Sequence, residues 1–328
     1  MNDIYISVIM PAYNSEKFIE SSILSVVKQP VKVELVIVND GSTDKTDEIC
    51  RNLAQIYDNI NYIRVENGGA GKARNIGLKM AKGKFIMYID SDDLYYPNSI
   101  NDEFIKKIHK YDQDGVDAII TCKSLTNMEE SIEPIITKPE SIENIKNHMP
   151  FNAFWTFIIR KSYMEEKDIS FFEYRKQDIE TAFRFKVFSR TDKLISDPDI
   201  SFYLQRDNLE SNTHTFNYYN LYSIKMFVYD RLDKEFDKYK TSDKDNTKFF
   251  LKREVARWGY EYFKYIRNAG ITDEVREQML DVIAAIKKIK MVKPWEFKET
   301  TARQIIKYYR DFVVSRLLAL LNKKRYRC

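Results

Sequence analysis

The stretch FIMYIDSDDL, residues 85–94, sets Asp90, Asp92 and Asp93 within four positions at the end of an apolar run, with no lysine or arginine among them. Crowded carboxylates resist ionisation unless a cation neutralises them. Oxygen ligands at a strand end suit a hard divalent ion, Mn2+ or Mg2+. Three other strand ends complete a site for a nucleoside diphosphate. The first runs into Pro11-Ala12-Tyr13-Asn14, with Glu16 soon after, and Tyr13 offers a face to a base. The second ends VNDGSTD, with Asp40 at its tip to accept an imide N–H and Gly41 where the chain must turn. The third leads into ENGGAGKARN, with Asn67 and Gly69 in the turn and Lys72 and Arg74 at a helix N-terminus. Glycines allow close backbone approach there, and a basic helix start suits phosphate. In this reading Asp92 holds the metal, Asp90 and Ser91 lie beside the nucleotide, and the metal holds a leaving diphosphate. No GxGxxG follows the first strand, so a nicotinamide dinucleotide site is not expected.

Elements of regular length must position these strand ends. Apolar runs predict strands at 6–10, 33–38, 61–65, 85–89 and 118–121. Between them amphipathic periodicity predicts helices at 15–29, 44–57, 70–81 and 98–111, the last with Pro97 at its start, where proline is tolerated. Strands alternating with such helices imply crossover units and a mostly parallel sheet. Ligands collect at the carboxyl ends of strands in sheets of this kind. From about 126 to 215 the pattern is less regular, with Trp155 inside FNAFWTFII and a helix expected at 178–190. Trp155 is a candidate to stack on an acceptor sugar, and a core position is the alternative. Beyond it, helices are expected at 217–236, 246–268, 273–289 and 299–322.

The blocks SVIMPAYN, VNDGSTD, ENGGAGKARN and YIDSDD, in this order and spacing, resemble the family-2 inverting glycosyltransferases of the GT-A fold, over about residues 4–215. The resemblance implies an α/β catalytic domain at 1–215, Rossmann-like with a mostly parallel central sheet flanked by helices. A helical C-terminal region at 216–328 follows it. It also implies uridine contacts from Pro11, Tyr13, Asn14, Asp40 and Arg74, with Glu16 near the ribose, and a DxD element at Asp90-Ser91-Asp92. The family usually carries Glu-Asp at a helix start, the aspartate serving as base. Here RKQDIETAF places Gln177 where the glutamate is usual and retains Asp178. YLQRDNLESNTH resembles a Tyr-x-x-Arg loop that closes over the diphosphate, with Arg206 on the nucleotide and His214 on the metal. The layout is most like enzymes that glycosylate wall teichoic acids and other bacterial surface polymers such as capsule.

Bulk properties bound the reading. A chain of 328 residues, 44% hydrophobic and 31% charged, is globular in composition. Its three cysteines, Cys50, Cys122 and Cys328, form no CxxC pair, which suits a reducing compartment. Neither a signal peptide nor a membrane-spanning run is expected. Residues 301–328 hold eight basic side chains against Asp311 alone, a net of +7 that leaves −3 for the first 300. There Ile306, Tyr309, Val313, Leu317 and Leu320 step by three or four. An apolar stripe with a basic flank suits an anionic membrane surface, and packing on a second subunit in a homodimer is the alternative. Basic charge confined to one amphipathic tail does not suggest nucleic acid. The expectation is a cytoplasmic enzyme, peripheral at the inner face of the membrane. It would move a sugar from a UDP-sugar to a glycan or lipid-linked glycan acceptor. A sugar-1-phosphate nucleotidylyltransferase would want a glycine- and arginine-rich loop after the first strand, where PAYNSEKF stands. A non-catalytic nucleotide-binding scaffold partner of another transferase is the rival that Gln177 keeps open.

Overall fold

The computed structural model describes residues 5–126, 135–137, 154–171, 173, 180, 183–184, 186–187, 190–191 and 193–206. All belong to one compact unit, Met1–Arg175 with Ile179–Glu210. The second unit, Lys176–Asp178 with Ser211–Cys328, lies outside the described residues, and with it Gln177, Asp178, His214, the helices expected beyond 216 and the basic stripe.

The elements run β1 (Ile6–Ala12), α1 (Ile19–Val27), β2 (Glu34–Asn39), α2 (Thr46–Ile56), β3 (Ile60–Arg64), α3 (Ala70–Met80), β4 (Phe85–Tyr88) and β5 (Leu94–Tyr95). They continue with α4 (Asp102–Gln113), β6 (Ala118–Thr126), β7 (Ile135–Thr137), a 3-10 turn (Phe154–Thr156), β8 (Phe157–Arg160), α5 (Lys161–Glu166) and β9 (Leu194–Arg206). The sheet order is β3-β2-β1-β4-β8-β6-β9-β5, with β7 paired to β6. Its first four strands are all parallel. Of these, β1, β2 and β4 are buried along their whole length, which is why they read as mainly apolar runs rather than alternating ones, while β3 at the edge is only partly buried. Strand order reverses between β1 and β4, and ligands of open α/β sheets bind outside the carboxyl ends of strands at such a point.

The far half of the sheet is mixed. β8 runs antiparallel between β4 and β6, and β9 runs parallel to β6 with a register shift near Cys122. β9 then pairs antiparallel with β5, Leu204 opposite Leu94 and Tyr203 opposite Tyr95. This pairing delivers the end of β9 to the aspartate turn.

The helix expected at 98–111 starts later, at Asp102. Asn98 has φ of 59°, which ends any helix there, and the Asn101 side chain accepts the Phe104 N–H at 3.0 Å as an N-cap. Pro97 therefore stands in a turn before the helix. On one face of the sheet α3 packs so closely that a Cβ at Gly77 would lie 2.5 Å from Ile9 Cγ2. At the opposite end of the strands Asp112, in the last turn of α4, accepts hydrogen bonds from Tyr5, Lys84 and Arg160. Arg160 also donates to the Val116 carbonyl at 2.7 Å, so α4 is pinned to β1, β4 and β8.

Candidate active site

Backbone hydrogen bonding closes the aspartate run into a turn: the Asp93 N–H donates to the Asp90 carbonyl at 3.0 Å, with Ser91 and Asp92 at the corner. Both ends of this turn are anchored. At one end Arg74 Nη2 donates to Asp90 Oδ1 at 2.6 Å. Arg74 is buried, its Cζ 4.5 Å from the Phe154 ring centroid and 5.2 Å from that of Phe171. Burial alone would lower the guanidinium pKa, but Asp90 and Glu180 outweigh it and hold the charge in place. At the other end Asp93 is buried and accepts from Tyr203 Oη and from the Arg206 N–H, the latter at 2.8 Å. Burial first, then the charges of Asp90 and Asp92, push the Asp93 carboxyl well above the ordinary carboxylate range. Three crowded aspartates are thus tolerated because one faces an arginine and another is driven toward its neutral form. Asp92, at the corner, is half-buried.

Side chains from α1 and β9 hold the turn from outside. Ser15 Oγ and Ser91 Oγ are 2.6 Å apart, joining the loop after β1 to the turn after β4 across the strand-order reversal. Ser22 Oγ donates to the Ser91 carbonyl at 2.9 Å. Arg206 donates to the Asp92 carbonyl, to Ser21 Oγ at 2.9 Å and to Ser22 Oγ at 2.7 Å. Its placement differs from the closing loop expected of it: Arg206 is the last residue of β9, fixed by the pairing with β5, and its guanidinium clasps α1 to the aspartate turn.

The other strand ends converge on the same edge. Tyr13, 51% exposed, is one of the two exposed large hydrophobic side chains among the described residues, as a base-stacking position requires. Pro11 and Ala12 are buried inside β1, and the Ala12 carbonyl accepts the Asp40 N–H at 2.8 Å. The loop after β1 is clasped to the one after β2. Asn14 Oδ1 accepts the Thr43 N–H at 2.9 Å, and Glu16 Oε2 accepts the Lys45 N–H at 3.0 Å beside the start of α2. Glu16 thus serves the loop that starts α2, a use that its spacing did not suggest.

Asp40, only 3% exposed, accepts the Gly68 N–H at 2.7 Å on one carboxylate oxygen and the Gly69 N–H at 2.8 Å on the other. Asn67 Nδ2 donates to the Asp40 carbonyl at 2.9 Å. Asp40 therefore shapes the glycine turn before α3, and Gly69, at φ of 91°, adopts a backbone that only glycine takes readily. Lys72 folds back along this turn: a Cβ on Gly68 would meet its Cδ at 2.3 Å. Trp155 lies half-buried against Phe154 and Tyr203, ring centroids 5.1 and 5.7 Å away, packed on the core as the alternative reading of it supposed.

Residues 7–167 match the family model described as Glycosyl transferase family 2. Over those residues, just under half of its length, the chain is similar to that family. The α/β expectation drawn from the four blocks holds, with a parallel sheet through β3-β2-β1-β4 flanked by helices. Curated relatives include the uncharacterized glycosyltransferase EpsJ of Bacillus subtilis (strain 168), 30% identical over 222 residues, 63% of this chain and 62% of EpsJ. The minor teichoic acid biosynthesis protein GgaB of the same organism is 46% identical over 92 residues, 27% of this chain and 10% of GgaB. The chain spans less than two thirds of the length of either relative. Among solved structures, S. aureus TarS 1–349 in complex with UDP-GlcNAc superposes with a TM-score of 0.69 at 21% identity, covering 98% of this chain and 92% of that one. The mannosyltransferase PcManGT from Pyrobaculum calidifontis, in complex with GDP-Man and Mn2+, gives a TM-score of 0.55 at 15% identity, covering 98% and 87%. At these identities the structural likeness establishes the fold.

Tyr203, Ser15, Ser22, Phe154 and Phe171 support the site but were not anticipated. None carries a charge, and although Tyr203 opens the Tyr-x-x-Arg stretch and Phe154 lies in FNAFWTFII, only the pairing of distant strands reveals their supporting contacts. Asp93 and Asn75 lie inside quoted blocks, so a signal existed for both.

Proposed function

We propose that this chain is a metal-dependent, inverting glycosyltransferase. It would take a sugar from a UDP-sugar and join it to a hydroxyl of a bacterial surface glycan or lipid-linked acceptor. The observation that carries the reading is the aspartate turn, held at the strand-order reversal of a family 2 domain with Asp92 at its corner. The UDP-GlcNAc complex of TarS supports the donor class, and the likeness to the minor teichoic acid biosynthesis protein GgaB supports the acceptor class.

The residues present fit a divalent ion of a particular kind. Among the described residues no three acidic, histidine or cysteine side chains converge as a ready-made cage. Mg2+ and Mn2+ at nucleotide sites need only one or two carboxylates, the remaining ligands being phosphate oxygens and waters. Asp92 supplies such a carboxylate, with His214 the second candidate from its sequence position. When bound, the ion supplies positive charge to the leaving diphosphate.

The chain's own groups account for the rest. Tyr13 stacks on the base, and the glycine turn shaped by Asp40 lets the backbone approach the nucleotide. Asp178 takes the proton of the acceptor hydroxyl. That oxygen attacks the anomeric carbon, the bond from the sugar to the β-phosphate breaks, and UDP leaves with inversion. A positioned base typically contributes about 10²–10⁴-fold. The experiment is to follow UDP release from a panel of UDP-sugars with a teichoic acid or lipid-linked acceptor. Turnover that falls by about that factor in Asp178→Asn supports the reading. UDP binding with no turnover of any donor favours the scaffold partner to which Gln177 points.

The basic C-terminal stripe would bring the enzyme to an anionic membrane surface or a second copy of the chain. No helix among the described residues is long and apolar enough to cross a membrane.

A further inference from the structure

Asn75 is buried next to Arg74 on α3, and its three side-chain hydrogen bonds all go to one distant segment. Its Oδ1 accepts the Phe171 N–H at 2.8 Å, and its Nδ2 donates to the Phe171 carbonyl at 2.9 Å. The second Nδ2 proton goes to Glu173 Oε1 at 3.1 Å. The first two bonds grip the backbone of a single residue from both sides, as a neighbouring strand would.

What Asn75 holds is the ring under Arg74. Phe171 is buried, stacked on Phe183 with centroids 3.9 Å apart and planes within 2°, and edge-on to Phe154 and Tyr88. The Arg74 guanidinium lies over Phe154 and Phe171, and its buried Nε has no hydrogen-bond partner. Two ring faces, the hydrogen bond to Asp90 and the charge of Glu180 therefore define where that guanidinium sits. Moving Phe171 moves Arg74, and with it the first anchor of the aspartate turn.

From this chain of contacts we infer that Asn75 is a positioning residue for donor binding. It fixes Phe171, which fixes Arg74, which sets Asp90 and hence the corner that carries Asp92. The inference rests on the proposed metal-dependent use of the turn. Removing a supporting contact behind a metal ligand costs about tenfold or more in metal-linked affinity.

The test is calorimetric binding of UDP to the full chain, with Mn2+ and with EDTA, below the melting temperature of each variant. Asn75→Ala is expected to weaken Mn2+-dependent UDP binding by about tenfold. Phe171→Leu fills the core but removes the ring face, and keeps the Asn75 bonds because they are made to backbone; it should reproduce the same loss. If Asn75→Ala does not fold, Phe171→Leu decides alone. Wild-type Mn2+-dependent affinity in a folded Asn75→Ala or Phe171→Leu overturns the inference and leaves the function reading intact. Absence of Mn2+-dependent UDP binding in the wild type overturns the function reading, and the inference falls with it.

Discussion

Arg74 Nη2 lies 2.6 Å from Asp90 Oδ1, and this ion pair joins the helix after the third strand to the turn after the fourth. The two blocks look independent in sequence, one a glycine-rich helix start and the other an acidic strand end. In the fold the cation of the first neutralises part of the second. The aspartates thus meet their first cation inside the protein, ahead of any metal.

Asp40 offers a direct check on how the glycine turn is held. Asp40→Asn keeps one acceptor oxygen but turns an NH2 toward a second N–H, leaving a buried donor unsatisfied, at a cost of about 1–3 kcal/mol. Urea unfolding should show that loss without nucleotide present, together with weaker UDP binding. A change in base selectivity at unaltered stability would mean that Asp40 serves the base alone.

Arg206 separates two roles in the same way. Its guanidinium bonds the Asp92 carbonyl, Ser21 and Ser22, so Arg206→Ala should destabilise the nucleotide-free protein by about 1–3 kcal/mol. Chemical denaturation without ligand measures it. Unchanged stability with lost UDP affinity would restore the closing-loop role read from the sequence.

The fold's first half was legible in sequence because β1, β2 and β4 are short runs of buried, mainly apolar residues followed closely by asparagine or aspartate. Its second half was not. β5 is two residues long, and β9 carries Asp197-Pro198-Asp199 in mid-strand, a sequence that reads as a turn. The acidic and glycine-rich parts of the site were legible because their chemistry is local to a block. The aromatic support under Arg74 was not, since Phe154 and Phe171 read as ordinary core and meet Arg74 only through contacts about 80 to 100 residues apart in the chain. Glu16 was expected at the ribose because the family resemblance implied it, and in the fold its Oε2 accepts the Lys45 N–H at 3.0 Å.

Gly77 tests the packing of α3. Alanine there gains about 1 kcal/mol in helix propensity. It also places a methyl 2.5 Å from Ile9 Cγ2 in a filled core, an overpacking that costs about 1–3 kcal/mol. The cost outweighs the gain, so Gly77→Ala should be less stable in urea unfolding. A more stable variant would show that α3 stands off β1 further than described.

Asp112 gives an acid-stability signature far from the site. Burial would raise its pKa, but hydrogen bonds from Lys84, Arg160 and Tyr5 outweigh that and bring it down to about 2. A carboxyl held below its unfolded value stabilises the fold above the ordinary carboxylate range, and the benefit disappears as pH falls through about 4 toward 2. Asp112→Asn should therefore lose about 1–2 kcal/mol at neutral pH, discounted for the solvent-exposed Lys84, and converge on wild type near pH 2. Unfolding free energies for both proteins across that range measure it; a constant difference would contradict it.

The most direct measurement is calorimetric binding of UDP, GDP, CDP and TDP to the wild type and to Asp92→Asn, each with Mn2+ and with EDTA. The expected result is UDP binding that needs both Mn2+ and the Asp92 carboxylate, with the other nucleotides weaker. Nucleotide binding indifferent to metal and to Asp92, or no binding of any nucleotide, would contradict the metal-dependent donor site on which the account rests.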